Sequence, residues 1–64
     1  MLLSDLKEAI LELSEFEQKV IYYRFLEDMT QKKIAEILDV SQMKISRTEK
    51  AALAKIKEKL VQHE

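Results

Sequence analysis

Gln31-Lys32-Lys33-Ile34-Ala35-Glu36-Ile37-Leu38-Asp39-Val40-Ser41-Gln42-Met43-Lys44-Ile45-Ser46-Arg47-Thr48-Glu49-Lys50 is the stretch that decides the fold. It has the pattern of two helices crossing steeply at a short turn, a helix-turn-helix over about 31–50. Ala35 stands where the two helices approach closely and the side chain must be small. Ile34, Leu38, Val40 and Ile45 stand where apolar side chains close the core beneath the crossing. Asp39 occupies the turn, where the backbone often goes left-handed; Asp is among the few non-glycine residues that tolerate this. Ser41 offers a hydroxyl to cap the restarted chain. An ordinary helical hairpin without nucleic-acid contacts shares much of this pattern.

The second helix of the pair extends to about residue 61, with Ile45, Ala52, Leu53, Ile56 and Leu60 as its apolar seam. At 100° per residue, Met43, Arg47, Lys50 and Ala54 lie on the opposite side, flanked by Lys44 and Ser46. Gln42 falls on the first turn, where a recognition helix meets base edges. Gln can bond adenine N6 and N7, Arg can bond guanine O6 and N7, and Met43 can pack on a thymine methyl. Solvated charges and a surface methionine are the competing reading of the same face.

Upstream, Thr30 caps a short helix over about 31–38 with Ile34, Ala35, Ile37 and Leu38 as its apolar face. Ser14-Glu15-Phe16-Glu17 fits a capping box and opens a helix over about 15–27. The apolar stripe of that helix is Val20, Ile21 and Phe25, with Tyr22, Tyr23 and Leu26 beside it; one tyrosine faces inward and its neighbour outward. Leu3, Leu6, Ile10 and Leu13, with Leu2 and Ala9, recur at helical spacing and predict a first helix over about 5–13 capped by Ser4. Leu2, Leu3, Leu6 and Ile10 either cover the core or offer a groove to a partner. The fold class is therefore all-α: a small four-helix domain over residues 1–64 containing a helix-turn-helix.

Composition agrees and excludes much else. Sixty-four residues with no Gly, Pro, Cys or Trp, 47% hydrophobic and 36% charged, describe packed amphipathic helices. Without Cys there is no disulfide framework, thiolate nucleophile or cysteine zinc site, and without Gly no glycine-rich phosphate loop. The one histidine, His63, lies at the C-terminus and is not expected to be a ligand or catalyst. No apolar run approaches the roughly 18 residues of a membrane span. We expect no enzymatic activity, cofactor, metal, membrane partner or small-molecule substrate, and a cytoplasmic location. Paired acid–base chemistry would need a pocket that so short a chain cannot build, so Glu12, Glu15, Glu17, Glu27 and Asp28 read as a solvated acidic surface.

The net charge of −1 hides a division. Residues 1–29 hold three basic groups against seven acidic ones, a balance of −4, whereas residues 42–64 hold six against three, a balance of +3. A basic C-terminal half hints at a polyanion partner for one end only.

The blocks Leu13–Phe25, Thr30–Leu38 and Ser41–Leu53, in this order, resemble region 4 of bacterial sigma factors of the sigma-70 family, over about Leu6 to Leu60. The likeness looks nearest to the sporulation and flagellar-type alternative sigmas. It implies a domain that reads the −35 element of double-stranded promoter DNA and docks on the β flap of RNA polymerase core, with an anti-sigma factor as a further partner. By position, Gln42, Met43 and Arg47 match the family's base-contacting residues. Lys44, Ser46 and Lys50 fall on or beside the DNA backbone path. Thr30, Gln31 and Lys32 open a helix whose N-terminus lies on phosphate, and Arg24 matches an arginine near the backbone. The chain also departs from the family. Phe16 stands where an arginine usually touches phosphate, and Ser14-Glu15 lacks the usual preceding proline. Ala51 replaces a frequent basic residue and Thr48 a frequent bulky apolar one. These departures imply low, salt-sensitive affinity for the isolated domain, and the chain alone is not expected to initiate transcription. Two further readings use the same residues: a sigma-like interaction module that chiefly holds protein partners, or a stand-alone regulator dimerising through Leu60 and Val61.

Overall fold

The computed structural model describes the backbone of residues 2–61 and side chains from residue 5. Helix α1 (Leu2–Leu11) starts earlier than expected, and Ser4 lies inside it rather than capping it. The caps proposed for the other three helices are present. Ser14 Oγ accepts from the Glu17 amide at 3.1 Å, and the Glu17 carboxylate accepts from the Ser14 amide at 2.9 Å, completing the capping box of α2 (Glu15–Ile21). Thr30 Oγ1 accepts from the Lys33 amide at the start of α3 (Gln31–Leu38). Ser41 Oγ accepts from the Lys44 amide at the start of α4 (Gln42–Val61).

Asp39 adopts the left-handed conformation, φ 56° and ψ 49°. The Val40 amide returns to the Ala35 carbonyl at 3.0 Å and the Asp39 amide to that of Glu36. This is a Schellman-type stop, and Val40 packs against the apolar cluster that holds Ala35, its usual hydrophobic accompaniment. The turn thereby bends the chain sharply and sends α4 across α3.

The helix expected over 15–27 is not uniform. From Tyr22 to Leu26 the backbone widens to a π-helical turn, with the Glu27 amide bonded to the Tyr22 carbonyl. Asp28 then takes φ 53°, and the Met29 amide closes onto the Tyr23 carbonyl. The wider turn advances each residue by less than 100°, so the apolar stripe does not carry through. Phe25, expected in the stripe, is 54% exposed, while Tyr23 packs inward.

Two apolar clusters share α2 and α4. Ala9, Leu13, Ile21, Ala52 and Ile56, with Ile10 and Leu60, join α1 to the C-terminal half of α4. Val20, Ile34, Ala35 and Ile45, with Phe16, Tyr23, Met29, Leu38 and Val40, lie under the helix crossing. Val20, Ile34 and Ile45 are fully buried. Two seam assignments fail: Ile37 and Leu53 are exposed, because each helix meets its neighbours along a narrower stripe than the run of apolar residues suggests. Leu60 packs on the core, leaving Val61 exposed at the proposed dimer seam. Leu2, Leu3 and His63 were singled out above, but their side chains lie outside the described residues. No described helix is long and apolar enough to cross a membrane.

The acidic surface also needs correction. Glu17 is buried, and both its carboxylate oxygens accept from Lys55 Nζ. Glu12 pairs with Lys59 at 2.7 Å. These bridges join the acidic N-terminal helices to the basic tail of α4, so part of the charge division is an internal match.

Candidate nucleic-acid interface

The N-terminal turns of α4 project a polar face away from both clusters. Gln42, Met43, Lys44, Arg47 and Lys50 are exposed, with Met43 at 62%, and Ser46 is half-buried. The cause is local. Ile45 is anchored at zero exposure under the crossing, and positions 43, 47 and 50 lie on the far side of the helix from it. Arg47 and Lys50 have no ion-pair partner among the described residues, so both cations are available to an external anion. All three candidate base readers, Gln42, Met43 and Arg47, are exposed.

The first turn of α3 adds Thr30 and Lys32, both exposed, and Gln31, half-buried. Thr30 Oγ1 is engaged as the cap, leaving its hydroxyl proton to donate outward. Lys44 is not loose. Its Nζ sits 5.1 Å above the centre of the Phe16 ring, a cation–π arrangement. Phe16 itself packs on the crossing cluster, so α2 supplies a platform for a cation at the start of α4.

Two proposed backbone-contact residues are engaged internally. Arg24 Nε donates to Glu49 at 3.1 Å and its Nη1 to the Met29 carbonyl at 3.3 Å. Gln31 Nε2 approaches the same Glu49 oxygen at 3.4 Å. Glu49 lies in the inward stripe of α4 with Ile45, Ala52 and Ile56, its side chain 15% exposed. Sequence reasoning passed over it. The available signal was an acidic residue four positions after Ile45 and three before Ala52, inside an otherwise apolar seam. Glu17 was expected in a capping box and on a solvated acidic surface; the box is present, but the side chain is buried, and its pairing with Lys55 has no local signal. Glu17 is held below the ordinary carboxylate range, chiefly by the Lys55 ammonium and then by the Ser14 amide, against the opposing effect of burial.

The described residues hold no cluster of three or more His, Cys, Asp or Glu that could bind a metal. The surface can present hydrogen-bond donors, an acceptor and positive charge to a polyanion.

Comparisons with known proteins identify the family. A family model described as "Sigma-70, region 4" matches residues 9–58. The chain is 48% identical to the RNA polymerase sigma-F factor of Bacillus subtilis over 81% of its own length and 20% of that protein. It is 41% identical to the bacteriocin UviA of Clostridium perfringens, over 88% of the chain and 30% of that protein. It is 42% identical to the RNA polymerase sigma-B factor of Bacillus anthracis, over 83% and 21%. The chain thus spans about a fifth of the length of the sigma factors it matches. No solved structure matches it.

Proposed function

The chain belongs to the sigma-70 region 4 family, and from that premise we propose that it recognises the −35 element of bacterial promoters within RNA polymerase holoenzyme, in the cytoplasm. The observation that carries this reading is the outward face of Gln42, Met43 and Arg47 just beyond the left-handed turn at Asp39. A helix so presented enters a major groove with its N-terminal residues on base edges. Arg47 reads guanine and Gln42 adenine, while Met43 packs on a thymine methyl. Lys32, Lys44 and Lys50, with the exposed end of α3, lie along the phosphates and set register rather than sequence. Thr30 and Ser46 contribute hydroxyls on the same path, and Gln31 and Arg24 border it. The family is one of DNA-recognition transcription factors, and the exposed face carries groups for recognition.

Selection from a randomised duplex library tests the proposal directly. The wild-type chain enriches a short motif at low salt. Arg47→Ala relaxes one guanine position, lowering discrimination there about tenfold, whereas Lys57→Ala, on the C-terminal half of α4, leaves the motif unchanged. Failure of the wild type to enrich any motif would end this reading.

A second reading, docking to protein partners, rests on a separate observation. The π-helical turn leaves Tyr22, Phe25 and Leu26 exposed beside an acidic N-terminal half. Such a surface suits the β flap of RNA polymerase or an anti-sigma factor.

A further inference from the structure

We infer that Glu49 is a positioning residue for sequence readout: its carboxylate, held by Arg24 and Gln31, fixes the angle at which α4 presents Gln42, Met43 and Arg47. The inference rests on the promoter-recognition reading and adds to it a residue that itself contacts no base.

A recognition helix must be fixed in direction and in rotation about its axis. The turn at Asp39 and the cap at Ser41 define where α4 begins, and Ile45 anchors one side of it in the crossing cluster. Ala52 and Ile56 anchor the same stripe further along, but near the base-reading end the apolar packing is that of Ile45, and dispersion contacts are non-directional. Glu49 supplies the directional contact one turn further along. Arg24 Nε reaches it at 3.1 Å from the π-helical turn, and Gln31 reaches it from the first turn of α3. Arg24 is in turn tied to the Met29 carbonyl, in the loop between those two elements. The π-helical turn and the first turn of α3 therefore converge on one side chain, 15% exposed, on the inner side of α4 and 18 to 25 positions away in sequence.

The charge of Glu49 sharpens the argument. An acidic group beside the N-terminus of α3 opposes phosphate binding there, which a role in affinity alone would not favour. Its neutralisation by Arg24 removes much of that opposition while keeping the directional hydrogen bond, which is stronger for being charged. The arrangement trades some general attraction to DNA for a defined orientation. Arg24, matched by family resemblance to a residue near the DNA backbone, acts through α4 in the free protein.

The experiment is duplex selection with wild type, Glu49→Gln and Arg24→Gln, each checked for thermal midpoint and assayed well below it. Glu49→Gln keeps the side-chain shape and removes the charge; Arg24→Gln keeps a donor for the Met29 carbonyl. Glu49→Gln should bind the unselected library at least as tightly as wild type, whereas Arg24→Gln, which leaves the Glu49 charge uncompensated, should bind it more weakly. Both should lose about tenfold in discrimination at the positions read by Gln42 and Arg47. A purely structural role would lower the thermal midpoint and leave the motif intact, and that result overturns the inference. If the wild type enriches a motif and both variants enrich it equally, the positioning role falls and the promoter reading stands. If the wild type enriches none, both fall together.

Discussion

Lys55 Nζ lies 2.9 Å from a Glu17 oxygen, joining residues thirty-eight positions apart. The same carboxylate closes the capping box with Ser14, so one side chain both starts α2 and fastens it to α4. Glu17 holds its pKa below the ordinary 4.5, which means that the folded state binds its proton less readily than the unfolded chain. The stabilisation from this group is therefore complete above about pH 4.5 and is lost as the pH falls through the lower folded value. Urea midpoints measured from pH 7 downward should fall on acidification. Glu17→Gln should show a lower midpoint at pH 7 and a smaller fall. Equal slopes for the two proteins would remove Glu17 from the acid response.

Asp39 accepts a left-handed backbone without glycine. Asp39→Gly should keep or raise stability by several tenths of a kcal/mol, whereas Asp39→Val should cost about 1–2 kcal/mol. Urea denaturation distinguishes the two, and a harmless valine would mean that the turn is not held left-handed in solution.

Ala35 is 6% exposed beneath the crossing, beside fully buried Ile34 and Ile45. Ala35→Leu should cost about 1–3 kcal/mol through overpacking. It should also weaken duplex binding, because the strain falls on the α3–α4 angle. Thermal melting and fluorescence anisotropy on a labelled duplex measure the two effects separately.

Phe16 carries the Lys44 ammonium on its ring. Phe16→Leu retains an apolar side chain but removes the ring, and should weaken duplex binding by about 0.5–1 kcal/mol. Phe16→Arg should lower stability and steepen the dependence of log affinity on log salt by about 0.9, one added phosphate contact. A salt titration by anisotropy reads both, and an unchanged slope would show that this position does not face the backbone.

Leu26 is 74% exposed at the end of the π-helical turn. Leu26→Ser should change stability by less than about 0.5 kcal/mol. It should reduce capture of RNA polymerase core in a pull-down while leaving the selected DNA motif unchanged. Undiminished capture would place the docking surface elsewhere.

Much of this architecture is written locally. Ser14 and Glu17, Thr30, Ser41 and Asp39 each act on backbone groups within a few residues of themselves, so α2, α3, α4 and the crossing turn could be placed from spacing and side-chain chemistry. The outward face of α4 followed from helical periodicity once Ile45 was assigned to the core. Ser4 misled because a capping side chain marks a helix start only when nothing before it continues the helix, and the chain does continue. The exposure of Phe25, Ile37 and Leu53 was decided by tertiary packing: a π-helical turn shifted one face, and the stripes of contact proved narrower than the apolar runs. Tertiary structure also decided the partners of the ions. Glu17 with Lys55, and Arg24 and Gln31 with Glu49, meet only because distant segments fold against one another, and no local pattern encodes a meeting between charges so far apart along the chain.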